Sequence, residues 1–215
     1  MGNGIDDYFG EFKRNLNMDF LQERYQELTE AGCDEAGRGC LAGPVFAAAV
    51  ILNPAVPIIG LNDSKKLSEK KRFQLALEIK ENALSWAIHK EDEAVIDSIN
   101  ILNASIKAMN EAIRSLEIQP EFVIVDGNRF YTQQDFKYKC IVKGDSLYQS
   151  IAAASILAKT ERDIYMKELH KEFPQYGWDR NMGYGTLEHR KALARFGQSI
   201  YHRKSFHLKN QLSLF

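Results

Sequence analysis

The sequence predicts an α/β fold in which buried strands alternate with helices. Three observations carry this reading. Residues 45–52 form an unbroken apolar run rich in β-formers, the pattern of a strand covered on both faces. Leu102, Ile106, Met109, Ile113 and Leu116 recur at helical spacing, as on one face of an amphipathic helix. Phe122-Val123-Ile124-Val125 then reads as a second buried strand that stops at Asp126-Gly127.

The remaining elements follow in order. The core pattern starts near Glu30. Ser68 is placed to cap a helix with its apolar positions at Phe73, Ala76, Leu77, the stem of Lys80, and Leu84. Residues 85–89 suit a strand, and Cys140-Ile141-Val142 a short one. A long helix is expected from near Ser146, where Ser146-Leu147-Tyr148-Gln149 has the form of a capping box. Its small-residue face, 150–159, suits close packing on the sheet, with Ser150 or Lys159 at the edge of the site. Residues 1–29 read as an acidic, partly helical leader with Phe20, Tyr25 and Leu28 as docking points. Residues 30–175 form the core and 176–215 a basic helical extension.

Composition narrows the class. With 215 residues, 45% hydrophobic and 27% charged, the chain fits one soluble domain with an appendage. Its longest apolar run is too short to cross a bilayer, and its first residues lack the regions of a signal peptide. Cys33, Cys40 and Cys140 are odd in number and form no C-x-x-C pair, which fits reduced thiols in a cytoplasm and argues against zinc. The formal net charge is −1, yet charge is unevenly placed. Residues 1–35 carry three Lys/Arg against nine Asp/Glu, and residues 176–215 carry seven against two. The basic end fits an anionic partner, or simply a solvated helix.

The chemistry-bearing residues sit where elements end. In Asp34-Glu35-Ala36-Gly37-Arg38-Gly39, adjacent carboxylates precede an arginine between glycines. Carboxylates bind hard cations, glycines admit close backbone approach, and a guanidinium forks onto phosphate. A turn explains the hexad equally well on its own. Successive strand residues face opposite sides, so Asp34 and Glu35 meet at one cluster only where the strand ends. Asp126 follows a buried strand, where open α/β sheets place ligands, although Asp-Gly also terminates strands. Asp145, in Lys143-Gly144-Asp145-Ser146, lies just outside the expected helix. Asp34, Glu35, Asp126 and Asp145 together make an oxygen-only set that favours Mg²⁺ or Mn²⁺. Two such ions about 3.5–4 Å apart would clamp an in-line phosphoryl displacement, with a metal-activated water as nucleophile.

Other residues suit a nucleic acid. Lys65 and Lys66, in Asp63-Ser64-Lys65-Lys66, fit phosphate contacts or an exposed helix start alike. Tyr184, in Gly183-Tyr184-Gly185-Thr186, is placed to stack on a sugar or base, or to close a turn. The five histidines lack metal-ligand spacing and read as surface or packing residues.

Taken together, these six ordered motifs, from about Glu30 to Phe196, resemble type 2 ribonuclease H (ribonuclease HII) of the bacterial type. The resemblance implies a ribonuclease H-like mixed five-stranded sheet flanked by helices, with a helical C-terminal extension. It implies hydrolysis of the RNA strand of RNA–DNA hybrids and cutting at single ribonucleotides in duplex DNA. It makes Asp34, Glu35, Asp126 and Asp145 both the catalytic residues and the metal ligands. Gly37-Arg38-Gly39 would contact the ribose 2′-OH through its backbone, and Tyr184 would sense the RNA-to-DNA junction. The 2′-OH is what separates RNA from DNA locally. One departure stands out: Asn181-Met182 occupies the place of a basic His-Lys pair, so one phosphate contact is either lost or taken over by Arg180.

A binding module without catalysis is the competing class, disfavoured because unneutralised carboxylates repel phosphate; a transposase-like two-metal nuclease is another. We expect a cytoplasmic monomer with no membrane contact. The tail Gln211-Leu212-Ser213-Leu214-Phe215 has the form of a sliding-clamp docking peptide.

Overall fold

A computed structural model describes residues 21–206. The strands are β1 (Glu30–Ala36), β2 (Val45–Ile51), β3 (Ser85–Glu91), β4 (Phe122–Asp126) and β5 (Lys137–Ile141). The helices are α1 (Glu69–Asn82), α2 (Glu93–Arg114), α3 (Gln149–Glu172), α4 (Trp178–Asn181) and α5 (Leu187–Phe196). The five strands make one mixed sheet in the order β3-β2-β1-β4-β5. β1 and β2, and β2 and β3, pair antiparallel, while β4 runs parallel to both β1 and β5. Every residue of β2 is buried, as its unbroken apolar run requires.

Alternation along β1 divides the core. Ala31 and Cys33 face a cluster under α2 with Ala47, Met109, Ile113 and Val125. The opposite face packs Ala48, Val50, Leu75 and Ile79 against the alanines of α3. Helix α3 lies so close to β1 that a Cβ on Gly32 would come within 2.2 Å of the Ser150 backbone. Glycine there, with the small face of α3, lets helix and sheet meet.

Several boundaries differ from expectation. Ser68 caps α1 as expected, its Oγ accepting from Lys71 N. The buried stripe, however, is Arg72, Leu75, Ala76 and Ile79, leaving Phe73 and Leu77 exposed. Arg72 claims a core position because its guanidinium binds Asp163 at 2.8 Å and the Ser64 carbonyl. Helix α2 begins at Glu93, nine residues before Leu102, capped by Asp92, and breaks at Asn100 (φ 67°). The Asn100 side chain restarts it by accepting from Leu102 N and Asn103 N.

Ser146 caps no α-helix. Gly144–Ser146 form a short 3₁₀ turn, and Ser146 Oγ donates to Lys143 O. Helix α3 starts at Gln149, whose N–H donates to Gln22 O. That long-range partner replaces the local cap. The described part of the leader, 21–29, contains no helix; Tyr25 docks by stacking on Phe122, while Leu28 is exposed. Phe20 and the rest of the leader lie outside the described residues, as does the tail 211–215.

Candidate active site

The parallel register of β1 and β4 sets Cys33 beside Val125, so Asp34 and Asp126 leave the sheet side by side at its end. Asp34 is buried and faces α3, where Ser155 lies beside it and partly offsets the effect of burial. Ser155 in turn shares a 2.9 Å hydrogen bond with buried Ser64. Asp34 Oδ1 also accepts from Glu35 N at 2.7 Å. Glu35, on the opposite face, pairs with Arg38 at 3.0 Å. Asp126 accepts from Gly144 N at 2.7 Å, which fixes the turn that carries buried Asp145. Asp145 pairs with Lys65 at 3.3 Å.

These carboxylates are short of positive charge. Burial, then Glu35 and Asp126, push the Asp34 carboxyl well above the ordinary range. Burial also raises Glu35 against the pull of Arg38, and burial together with Asp145 raises Asp126. For Lys65, burial opposes the charge, but Asp145 and Asp63 prevail and raise its pKa. Among the described residues, no three His, Cys, Asp or Glu side chains are arranged to hold a metal ion as they stand. Glu35 is instead turned to Arg38, and Asp145 to Lys65. The donor chemistry and the crowding of like charge still fit a hard divalent cation, which would displace those two basic partners.

The loop after β1 adjoins a second loop. Cys40 and Tyr184 form an antiparallel bridge, and Leu41 N donates to Gly183 O at 2.8 Å. Gly37-Arg38-Gly39 and Tyr184 therefore lie together, with Tyr184 41% exposed. Asn181 is buried and braces this loop, accepting from Gly183 N and donating to Tyr176 O. Arg180 is engaged by Asp179 and Glu188 rather than held free for phosphate.

Of the expected site residues, Ser150 falls elsewhere. It lies in the first turn of α3, at the far end of β1 beside Glu30, because α3 runs along β1 and brings Ser155 to Asp34 instead. Lys159 is bound to Asp163. Lys66 is exposed and, among the described residues, forms no ion pair with the acids. Sequence reasoning missed Ser64 and Ser155. It also missed Asn128 and Arg129, which with Glu35, Arg38 and Asp126 line a recess of about 250 Å³. A larger cavity, about 460 Å³, opens beside Arg24, Glu30 and Ser150 at the far end of the sheet. Volume does not pick the site here; the clustered acids do.

Residues 31–209 match the family model described as ribonuclease HII. The chain belongs to the ribonuclease HII family. It is 53% identical over 192 residues to the ribonuclease HII of Bacteroides fragilis, covering 88% of this chain and 96% of that one. Identity to the Cytophaga hutchinsonii ribonuclease HII is 52% over 202 residues, 93% of this chain and all of the other. Among solved structures, the PCNA:ribonuclease HII complex from Archaeoglobus fulgidus matches with TM-score 0.72 and 27% identity. That match covers 86% of this chain and 98% of the other. As a ribonuclease HII the chain is an endoribonuclease, a hydrolase that cleaves the RNA strand of RNA–DNA hybrids. Among the described residues no helix is long and apolar enough to cross a membrane.

Proposed function

We propose that this ribonuclease HII also cuts duplex DNA at single embedded ribonucleotides, with Asp34, Glu35, Asp126 and Asp145 holding two divalent cations, Mg²⁺ or Mn²⁺. The observation that carries the reading is the crowding of Asp34, Glu35 and Asp126, each with its pKa raised, at one end of the sheet. Bound cations would neutralise this charge and supply water activation and charge stabilisation for in-line hydrolysis. The chain's own residues do the rest. Ser155 and the Glu35 N–H orient Asp34, and the Gly144 N–H orients Asp126. Lys65 and Arg38, released by the cations, would turn to phosphate, with Lys66 beside them. Gly37-Arg38-Gly39 would read the 2′-OH through its backbone while Tyr184 stacks on the neighbouring sugar.

Further parts of the proposal rest on the same frame. The acids, the Gly-Arg-Gly loop and Tyr184 come from one chain, which supports a monomer. The three unpaired cysteines support a cytoplasmic setting. We keep the division into a leader (1–29), a catalytic core (30–175) and a C-terminal extension (176–215). The archaeal relative's complex with PCNA and the spacing of Gln211, Leu214 and Phe215 support clamp docking by the tail.

The test is cleavage of a DNA duplex carrying one ribonucleotide, with Mg²⁺, Mn²⁺ or EDTA, beside the same duplex in all-DNA form. Cation-dependent cutting of only the first duplex is expected. Cutting in EDTA, cutting of the all-DNA duplex, or none in either cation would overturn the reading.

A further inference from the structure

Beneath the Gly-Arg-Gly loop lies Arg203, with no accessible surface. Its guanidinium donates from Nη2 to Gly37 O at 2.7 Å and from Nη1 to Arg38 O at 2.9 Å. Nη2 and Nε both donate to Gly43 O, at 2.7 and 2.9 Å. Among the described residues no carboxylate pairs with it. Burial lowers its pKa to about 10, so it stays charged at neutral pH. A buried charge satisfied only by neutral carbonyls is costly, so a local reason for it is required.

Anchoring the C-terminal segment is not that reason. The backbone already does so, through Gly43 N to Tyr201 O and Arg203 N to Leu41 O, each 2.9 Å. What the guanidinium adds is the direction of two peptide groups. Across a trans peptide the N–H points opposite to the C=O. Drawing the Gly37 and Arg38 carbonyls inward therefore turns the N–H groups of Arg38 and Gly39 outward. Neither N–H has a hydrogen-bond acceptor among the described residues, and both residues are exposed. A Cβ built on Gly39 meets nothing within 4 Å, so the loop is open on that side as well. The loop is also shaped from below by Arg162. At Gly37 (φ +96°) a Cβ would strike Arg162 Nε at 2.0 Å.

We propose that Arg203 is a positioning residue: by gathering the carbonyls of Gly37, Arg38 and Gly43, it presents the Arg38 and Gly39 N–H groups as a fixed donor pair to the ribose of the bound nucleotide. This rests on the reading, made above, that the loop recognises the sugar. Because a guanidinium donates from five N–H groups in a rigid plane, lysine cannot span the same three carbonyls. The donor pair would then loosen without loss of the charge.

The readout is the ratio of two constants. One is the Ki of an all-DNA duplex as competitive inhibitor, and the other is the KM of the same duplex carrying one ribonucleotide. A general loss of structure lowers kcat or the active fraction but leaves this ratio alone. The wild-type ratio should lie well above one, and Arg203→Lys should lower it about tenfold, the worth of one well-formed hydrogen bond. A wild-type ratio of one would show that the loop does not read the sugar, and the proposal falls with that reading. A high wild-type ratio unchanged in Arg203→Lys overturns the proposal alone. Should Arg203→Lys lack a cooperative thermal transition, Phe206→Leu decides. The Phe206 ring lies 5.1 Å from the guanidinium carbon and touches none of the three carbonyls' bonds. A fall of about threefold, a part of one hydrogen bond, supports the proposal, and an unchanged ratio refutes it.

Discussion

At the end of the sheet, Asp34, Glu35, Asp126 and Asp145 crowd negative charge, and among the described residues Arg38 pairs with Glu35 and Lys65 with Asp145. Under the neighbouring loops, Arg162 and Arg203 bring positive charge to buried positions with no carboxylate paired to either among the described residues. Both regions look unbalanced, yet they differ in what satisfies them. Arg162 donates to the carbonyls of Ala42, Pro44 and Met182, and Arg203 to those of Gly37, Arg38 and Gly43. These two buried charges are satisfied by the protein's own carbonyls, without a ligand. The acidic region is incomplete and gains most from an added cation. On the proposed reading, the arginine region would hold geometry for recognition, and the acidic region would supply the electrostatic demand for chemistry.

The largest expected effect breaks the acidic side alone. Asp34→Asn should lower kcat by about 10³-fold or more, in the range lost when transition-state charge stabilisation is removed. Without metal it should melt no lower than wild type, since it removes a repelled, buried carboxylate. The loop side should respond in the opposite manner. Arg162→Met would strip three carbonyls of charge-assisted partners and lower stability by about 3–5 kcal/mol, measured by denaturant unfolding. An Arg162→Met protein as stable as wild type would erase the contrast.

How much of this was legible follows the same division. The acids stood out because each follows an apolar strand or turn signal that the chain itself displays. The strands and the mixed α/β class were readable for the same reason. The two arginines were not, since Arg203 sits in a basic, polar C-terminal stretch and its partners are carbonyls some 160 residues away, which carry no residue-type signal. Ser150 and Ser155 both lie on the small face of α3, and nothing in the sequence separates their roles. Only the packing of α3 along β1 shows that five residues, about 7.5 Å of helix, separate Glu30's neighbour from Asp34's. The start of α3 misled for a related reason: Gln22 O, not Ser146, receives the Gln149 N–H.

Smaller effects sharpen the comparison. The folded-state pKa of Asp34 lies above its unfolded value, so its ionisation is harder in the folded protein. In EDTA, its contribution to stability is present below about pH 4, the unfolded carboxylate range, and is lost as pH rises through the raised folded value. Melting temperatures across pH should therefore fall less steeply in Asp34→Asn than in wild type. The smallest effect belongs to Lys65, which is mostly exposed. Lys65→Met should change stability by less than about 1 kcal/mol while raising KM for a hybrid substrate several-fold, with a shallower salt dependence.

The most direct test of the central claim is thermal unfolding of wild type and Asp34→Asn with and without Mn²⁺. At about 100 times its Kd the ion should stabilise wild type by about 2.7 kcal/mol, and Asp34→Asn by much less. Equal stabilisation of the two proteins, or none in either, would contradict the assignment of the acidic end as the cation site.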